Sequence, residues 1–223
     1  MIIEILNKNK ASFYPVLGEA FSKADFCPLE LGVGKSELLG HDVTTFEGLD
    51  NYVKSTIKTQ NAKVAYGGYG EHRAVYTASQ YLENEADARN IHLGIDLWTT
   101  AETPVFAPLD GIVHSFRYNE KPLDYGATII LKHELEGIVF YALYGHLSLK
   151  SLEKRQKNEF ILRGSPFATL GKPSENGGWS PHLHLQLITN LMGWEGDFPG
   201  VASRREADFY LKNCPSGEDF CGF

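Results

Sequence analysis

The chain has 223 residues, 43% of them hydrophobic and 22% charged, with a formal net charge of -7 at pH 7. That balance argues against a general nucleic-acid binder, whose affinity rests on clustered Lys and Arg meeting phosphates, and weighs against tight adsorption to an acidic cell wall. No apolar run approaches the roughly 20 residues of a membrane-spanning helix, so no membrane partner is expected, and the length fits one main domain.

Residues 1–10 place their basic side chains after the apolar ones and include Glu4, which is not the pattern of a secretory signal. A cytoplasmic location is the expectation, with a secreted or periplasmic one reserved for a processed chain. Cys27, Cys214 and Cys221 are odd in number and lack C-x-x-C spacing, so they read as free thiols in a reducing compartment rather than a disulfide framework or a thiolate metal site.

Gly32-Val33-Gly34-Lys35-Ser36 has the ending of a phosphate-binding loop, but Leu29 stands where the first glycine belongs and no apolar strand runs into it, so no nucleotide site is expected. Thr44 and Glu47 have the spacing of a helix-opening capping box. Phe46, Leu49, Tyr52, Val53 and Ile57 then recur at helical spacing, which predicts an amphipathic helix laid on the main domain. Residues 65–70 read as a loop, and the polar stretch 71–89 carries no decisive pattern.

From residue 103 onward short apolar segments alternate with turn residues. Strands are predicted in 103–113, 125–133, 137–146 and 164–171, with Glu134, Leu135 and Glu136 turning the central hairpin. Residues 148–159 read as a solvated turn or short helix, the glycine-rich 175–180 as a loop, and 203–213 as a terminal helix. The class is mainly β and antiparallel, with an N-terminal mixed helical region and a short C-terminal helix.

The chemistry lies in three short motifs. His182-Leu183-His184-Leu185-Gln186 alternates, so on a strand its two imidazoles share a face about 7 Å apart. His92-x-x-x-Asp96 supplies nitrogen and carboxylate donors of the zinc type, but a straight strand would hold them about 13 Å apart. The backbone must curl between them, and Gly94 is the residue expected to permit it. Tyr144-Gly145-His146-Leu147 closes a strand. Isolated His41, His72, His114 and His133 read as surface or strand-end residues.

In chain order, His92-x-x-x-Asp96, then Tyr144-Gly145-His146-Leu147, then Pro181-His182-Leu183-His184, the three motifs resemble those of the lysostaphin-type zinc metallopeptidases, the glycyl-glycine and peptidoglycan cross-bridge endopeptidases, over residues 70–188. The resemblance implies a two-sheet hybrid sandwich with a substrate groove, in which 70–200 is the metallopeptidase domain, 1–69 packs on it and 201–223 extends it. It implies Zn2+ held by His92, Asp96 and His184, with an open position where zinc polarises a carbonyl and activates water. His146 and His182 are then the catalytic pair, one taking the proton and the other orienting water or stabilising the oxyanion, and the sequence does not divide these roles. A tyrosine near the zinc is expected to assist, with Tyr69, Tyr76 and Tyr81 as candidates, and His133 stands where relatives carry a histidine, a place for a supporting role.

The expected substrate is a glycine-rich peptide or a peptidoglycan stem or cross-bridge peptide. The alternatives are a cytoplasmic hydrolase of another peptide or amide, and a non-catalytic metal-binding module that recruits or activates a partner. Neither Glu-x-x-His nor His-Glu-x-x-His occurs, which sets aside D-alanyl-D-alanine peptidase and thermolysin-like readings.

Overall fold

Alternation along 182–188 and the two apolar runs flanking Glu136 and Gly137 build the sheet that positions the site. The computed structural model describes residues 2–77 and 88–222. In chain order its helices are α1 (Ile2–Asn9), α2 (Phe46–Thr59) and α3 (Ala207–Asn213). Its strands are β1 (Phe26–Pro28), β2 (Val64–Gly67), β3 (Arg89–His92), β4 (Ile95–Trp98), β5 (Pro104–Phe106), β6 (Gly111–Asn119), β7 (Gly126–Leu135), β8 (Ile138–Leu147), β9 (Phe160–Ile161), β10 (Pro166–Thr169), β11 (His182–Ile188) and β12 (Val201–Ser203). No described helix is long and apolar enough to cross a membrane.

One eight-stranded sheet runs β1-β2-β4-β11-β8-β7-β6-β9, and β10-β5 and β12-β3 form two-stranded sheets. The protein is mainly β, as read from the sequence. Every described strand pair is antiparallel except β1 with β2, and that exception has a plain cause. A long connection through α2 separates the two strands, which is the crossover that parallel pairing needs.

Parity along the strands divides the two faces. Leu183, Leu185 and Leu187 of β11 join Ile95 and Leu97 of β4, Ile129 and Leu131 of β7, and Ala142 and Tyr144 of β8 in one buried cluster, covered by Val105 of β5 and Phe167 of β10. Leu93, Ile130, Leu143, Ile188 and Ala202 form a second cluster on the opposite face, under β3 and β12. His182, His184 and Gln186 alternate with the leucines and are turned to that second side, in register with Trp98 and Asp96 of β4.

Four local expectations are corrected. Residues 64–67 are strand β2 rather than loop, because Ala65, Tyr66 and Gly67 pair with Trp98, Leu97 and Asp96, and that tertiary pairing overrides the glycine and tyrosine composition. The α2 cap is Thr45, whose side chain accepts from Gly48 N at 3.1 Å; Thr44 is already engaged with Asp42 Oδ1 at 2.6 Å, so the Thr44–Glu47 box does not form. The hairpin turns on Glu136 (φ 51°) and Gly137 (φ 77°), the two left-handed positions of a tight β-turn, so Glu134 and Leu135 stay in the ladder. The terminal helix begins at Ala207, residues 201–203 being spent on β12.

Candidate metal centre

His92 ends β3 and Asp96 lies in β4, with the break between them at Leu93 and Gly94. The curl brings His92 Nε2 to 3.4 Å from Asp96 Oδ1. Gly94 contributes room rather than an unusual dihedral: a Cβ there would stand 2.6 Å from His184 Cε1 and 2.9 Å from the Leu185 carbonyl. Into that room comes His184, whose Nδ1 lies 3.0 Å from Asp96 Oδ1 and 3.0 Å from His92 Nε2. His92, Asp96 and His184 are all buried, and together they form a group able to hold a metal ion.

Hydrogen-bond partners on the far side of each ring fix which nitrogen carries the proton. His92 Nδ1 lies 3.1 Å from Gly68 O, a carbonyl that can only accept, so Nδ1 donates and Nε2 presents a lone pair. Gln186 donates through Nε2 to Pro199 O at 3.0 Å and to Cys214 Sγ at 3.3 Å, which turns its Oε1 toward His184 Nε2 at 2.9 Å. His184 therefore donates from Nε2 and presents Nδ1 as a lone pair. Two imidazole lone pairs and a carboxylate oxygen thus face one another inside the protein with no hydrogen among them, an arrangement that a cation resolves. Donors bound tetrahedrally to zinc at about 2.0–2.1 Å stand roughly 3.3 Å apart, which matches the spacings here.

Arg73 closes the carboxylate side, with Nη1 2.5 Å from Asp96 Oδ2 and Nε 3.0 Å from Glu71 Oε2. Burial pushes the Asp96 carboxyl up, but the neighbouring His92 and Arg73 outweigh it and hold the group well below the usual carboxylate range. Burial drives His92 down to about 3, with Arg73 adding to the effect, so its imidazole is neutral near pH 7.

His182 and His146 stand beside this group, their ring centroids 4.1 Å apart. Strand parity would send His146 to the leucine face with Tyr144. A bulge against β7 between Ala127 and Ile129, together with a left-handed φ of 59° at His146, turns it to the site. His146 Nδ1 donates to Asn176 O at 2.8 Å and His182 Nδ1 to Ser180 O at 2.7 Å, so both keep Nε2 as an acceptor. His182 Nε2 is 3.9 Å from Asp96 Oδ2, and Trp98 stacks on the ring at 5.5 Å. Burial lowers the pKa of both histidines, most strongly for His146, which favours neutral imidazoles.

These residues border a cleft of about 620 Å³ that is also lined by Arg73, Tyr76 and Trp179. Of the three candidate tyrosines, Tyr76 lies in the cleft, with burial pushing its hydroxyl up to about 12. Tyr69 points elsewhere, donating to Cys214 O at 2.7 Å. Tyr81 lies outside the described residues. His133 is not a strand-end surface residue: it is buried against Phe140 and Phe220, donates from Nδ1 to Asp110 O at 2.9 Å, and sits at the opposite end of the β7–β8 hairpin from His146. The supporting role considered for it has no counterpart in this arrangement. All three cysteines are free, and their sulfurs lie outside the ligand group.

Sequence reading missed Gln186 and Arg73. Gln186 was legible in principle, since it follows His184 at the same strand parity. Arg73 carried no local signal, because its relation to Asp96 is made by tertiary pairing: its backbone N–H bonds Asn90 O and it bridges Gly32.

The model of peptidase family M23 matches residues 90–193, a span that contains His92, Asp96, His146, His182 and His184. An uncharacterized metalloprotease of Haemophilus influenzae is 33% identical over 99 residues, 44% of this chain and 19% of that protein, so the match spans about a fifth of the curated relative's length. Among solved structures, the catalytic domain of the antimicrobial peptidase lysostaphin from Staphylococcus simulans aligns with a TM-score of 0.43 and 20% identity, over 65% of this chain and 90% of that one. A zinc-containing peptidase from Vibrio cholerae aligns with a TM-score of 0.35 and 27% identity, over 44% of this chain and 27% of that one. Residues 90–193, just under half of the chain, are thus similar to peptidase family M23.

Proposed function

We propose that the chain is a zinc-dependent metalloendopeptidase that hydrolyses peptide bonds in glycine-rich or peptidoglycan-type peptides, with residues 70–200 as its catalytic part. The observation that carries the reading is the convergence of His92 Nε2, Asp96 Oδ1 and His184 Nδ1 as buried acceptors with no hydrogen between them. These three would hold the ion. Zinc bound there supplies a Lewis acid that polarises the scissile carbonyl and makes water a nucleophile near neutral pH.

The remaining chemistry falls to this chain's own side chains. His182, anchored through Nδ1 on Ser180 O, offers Nε2 as the proton acceptor and later returns the proton to the leaving amine. His146, anchored on Asn176 O with its ring beside that of His182, keeps Nε2 free of that anchor and orients water or, once protonated, stabilises the oxyanion. Tyr76 keeps its phenolic hydrogen at neutral pH and can donate it to the oxyanion. The substrate class is supported by the lysostaphin and M23 likeness, and the metal by the donor geometry. The test is turnover of glycine-rich peptides and muropeptides by the metal-loaded protein, alongside His182→Ala. That variant should retain metal and fold while losing on the order of 10²–10⁴-fold in turnover. Equal turnover in the variant overturns the role given to His182, and no cleavage of any peptide by a zinc-loaded wild type overturns the function.

A further inference from the structure

Arg73 lies outside the matched span 90–193, yet it makes the shortest contact to a member of the ligand group. Each of its three guanidinium nitrogens is engaged: Nη1 with Asp96 Oδ2 at 2.5 Å, Nε with Glu71 Oε2 at 3.0 Å and Nη2 with Gly67 O at 3.4 Å. The group also lies over the Trp98 ring at 5.5 Å. Glu71 is tied in turn to the N-terminal segment, its Oε1 accepting from Leu31 N at 2.8 Å.

We propose that Arg73 is a positioning residue of the metal centre: it takes Asp96 Oδ2 for itself, so that Oδ1 alone faces His92 and His184, and Glu71 anchors it to the segment around Leu31. A carboxylate with both oxygens free can occupy two positions on a metal, whereas one pinned through Oδ2 occupies a single position and leaves another open for substrate and water. The planar guanidinium fork suits this task, because it binds Glu71 and Asp96 along two fixed directions at once, which a lysine ammonium cannot do. It also supplies the counter-charge that a buried carboxylate beside neutral imidazoles requires. With Nη1 on Asp96 Oδ2 and Nε on Glu71 Oε2, Arg73 acts through Asp96.

The inference rests on the reading of His92, Asp96 and His184 as ligands, and not on the peptidase activity. The test is titration of the metal-free full chain with Zn2+ and Co2+, comparing wild type with Arg73→Met, Arg73→Lys and Glu71→Gln. Arg73→Met should weaken zinc affinity on the order of 10–100-fold, as loss of an outer partner of a ligand typically does, with a smaller loss in the other two. The cobalt-loaded Arg73→Met protein should lose the intense visible bands of four-coordinate cobalt for the weaker bands of higher coordination. A merely structural arginine would lower stability and leave the spectrum of the folded fraction unchanged, and that result overturns the proposal. If Arg73→Met does not fold, wild-type affinity and spectrum in both Arg73→Lys and Glu71→Gln overturn it equally. A wild type that binds cobalt in four-coordinate form but cleaves no peptide defeats the peptidase reading and leaves the role of Arg73 standing. A wild type that takes up neither metal defeats the ligand set and this role with it.

Discussion

His184 presents Nδ1 to the centre because Gln186 accepts from its Nε2, and Gln186 is itself oriented by the Pro199 carbonyl and Cys214 Sγ. Removing that acceptor frees the ring to flip or to change tautomer. Gln186→Leu should therefore weaken zinc affinity about 10–100-fold, and Gln186→Glu, which restores an acceptor for His184, should recover part of it. Competition with a chromophoric chelator measures both, and wild-type affinity in a folded Gln186→Leu protein would show that strand packing alone orients His184. At this scale the five motif residues were legible because their types and spacing name a chemistry. Their protonation was not, since it depends on the carbonyls of Gly68, Asn176 and Ser180 and on Gln186 held by Pro199 O, which reach the rings only after folding.

Elements decide which of these side chains meet. The alternation in β11 was readable and holds, with leucines on one face and His182, His184 and Gln186 on the other. The same alternation misplaces His146, because a bulge beside Gly145 in β8 shifts the parity. The break between β3 and β4 was anticipated from the His92–Asp96 spacing, but the need for Gly94 proves to be steric. Gly94→Ala would press a methyl on the His184 ring and on the Leu185 backbone, which cannot yield as a flexible side chain would. The expected cost is about 1–3 kcal/mol with loss of zinc, read by denaturant unfolding and metal content; wild-type values in both would disprove the crowding.

At the far end of the β7–β8 hairpin, burial lowers His133 from 6.5 to about 4, and its Nε2 has no hydrogen-bond partner among the described residues. Between those values the unfolded chain binds a proton that the folded one refuses, so stability falls as pH drops from 6.5 to 4 and is unaffected by this group outside that window. The full contribution is about 3 kcal/mol. Urea unfolding at pH 7.5 and pH 4 should show that His133→Asn loses less stability than wild type, and equal losses would mean His133 does not titrate this way.

For the whole molecule, the matched span 90–193 supplies the five motif residues, while segments on either side complete their surroundings. Residues before it contribute β1, β2, Glu71 and Arg73, and Asp50 of α2 accepts from Ser180 at 3.0 Å in the loop leading to His182. Residues after it contribute Pro199 and Cys214 behind His184. The mainly β class was readable from short apolar runs and turn residues. The attachment of β1 and β2 to the main sheet was not, because a parallel crossover through α2 joins segments whose composition gives no sign of pairing. The central claim is that His92, Asp96 and His184 hold one metal ion. The most direct measurement is the zinc content of purified wild type and of His184→Ala, each verified as folded. The account predicts one zinc per chain in wild type and far less than one in the variant; full occupancy in His184→Ala, or none in wild type supplied with zinc, would contradict it.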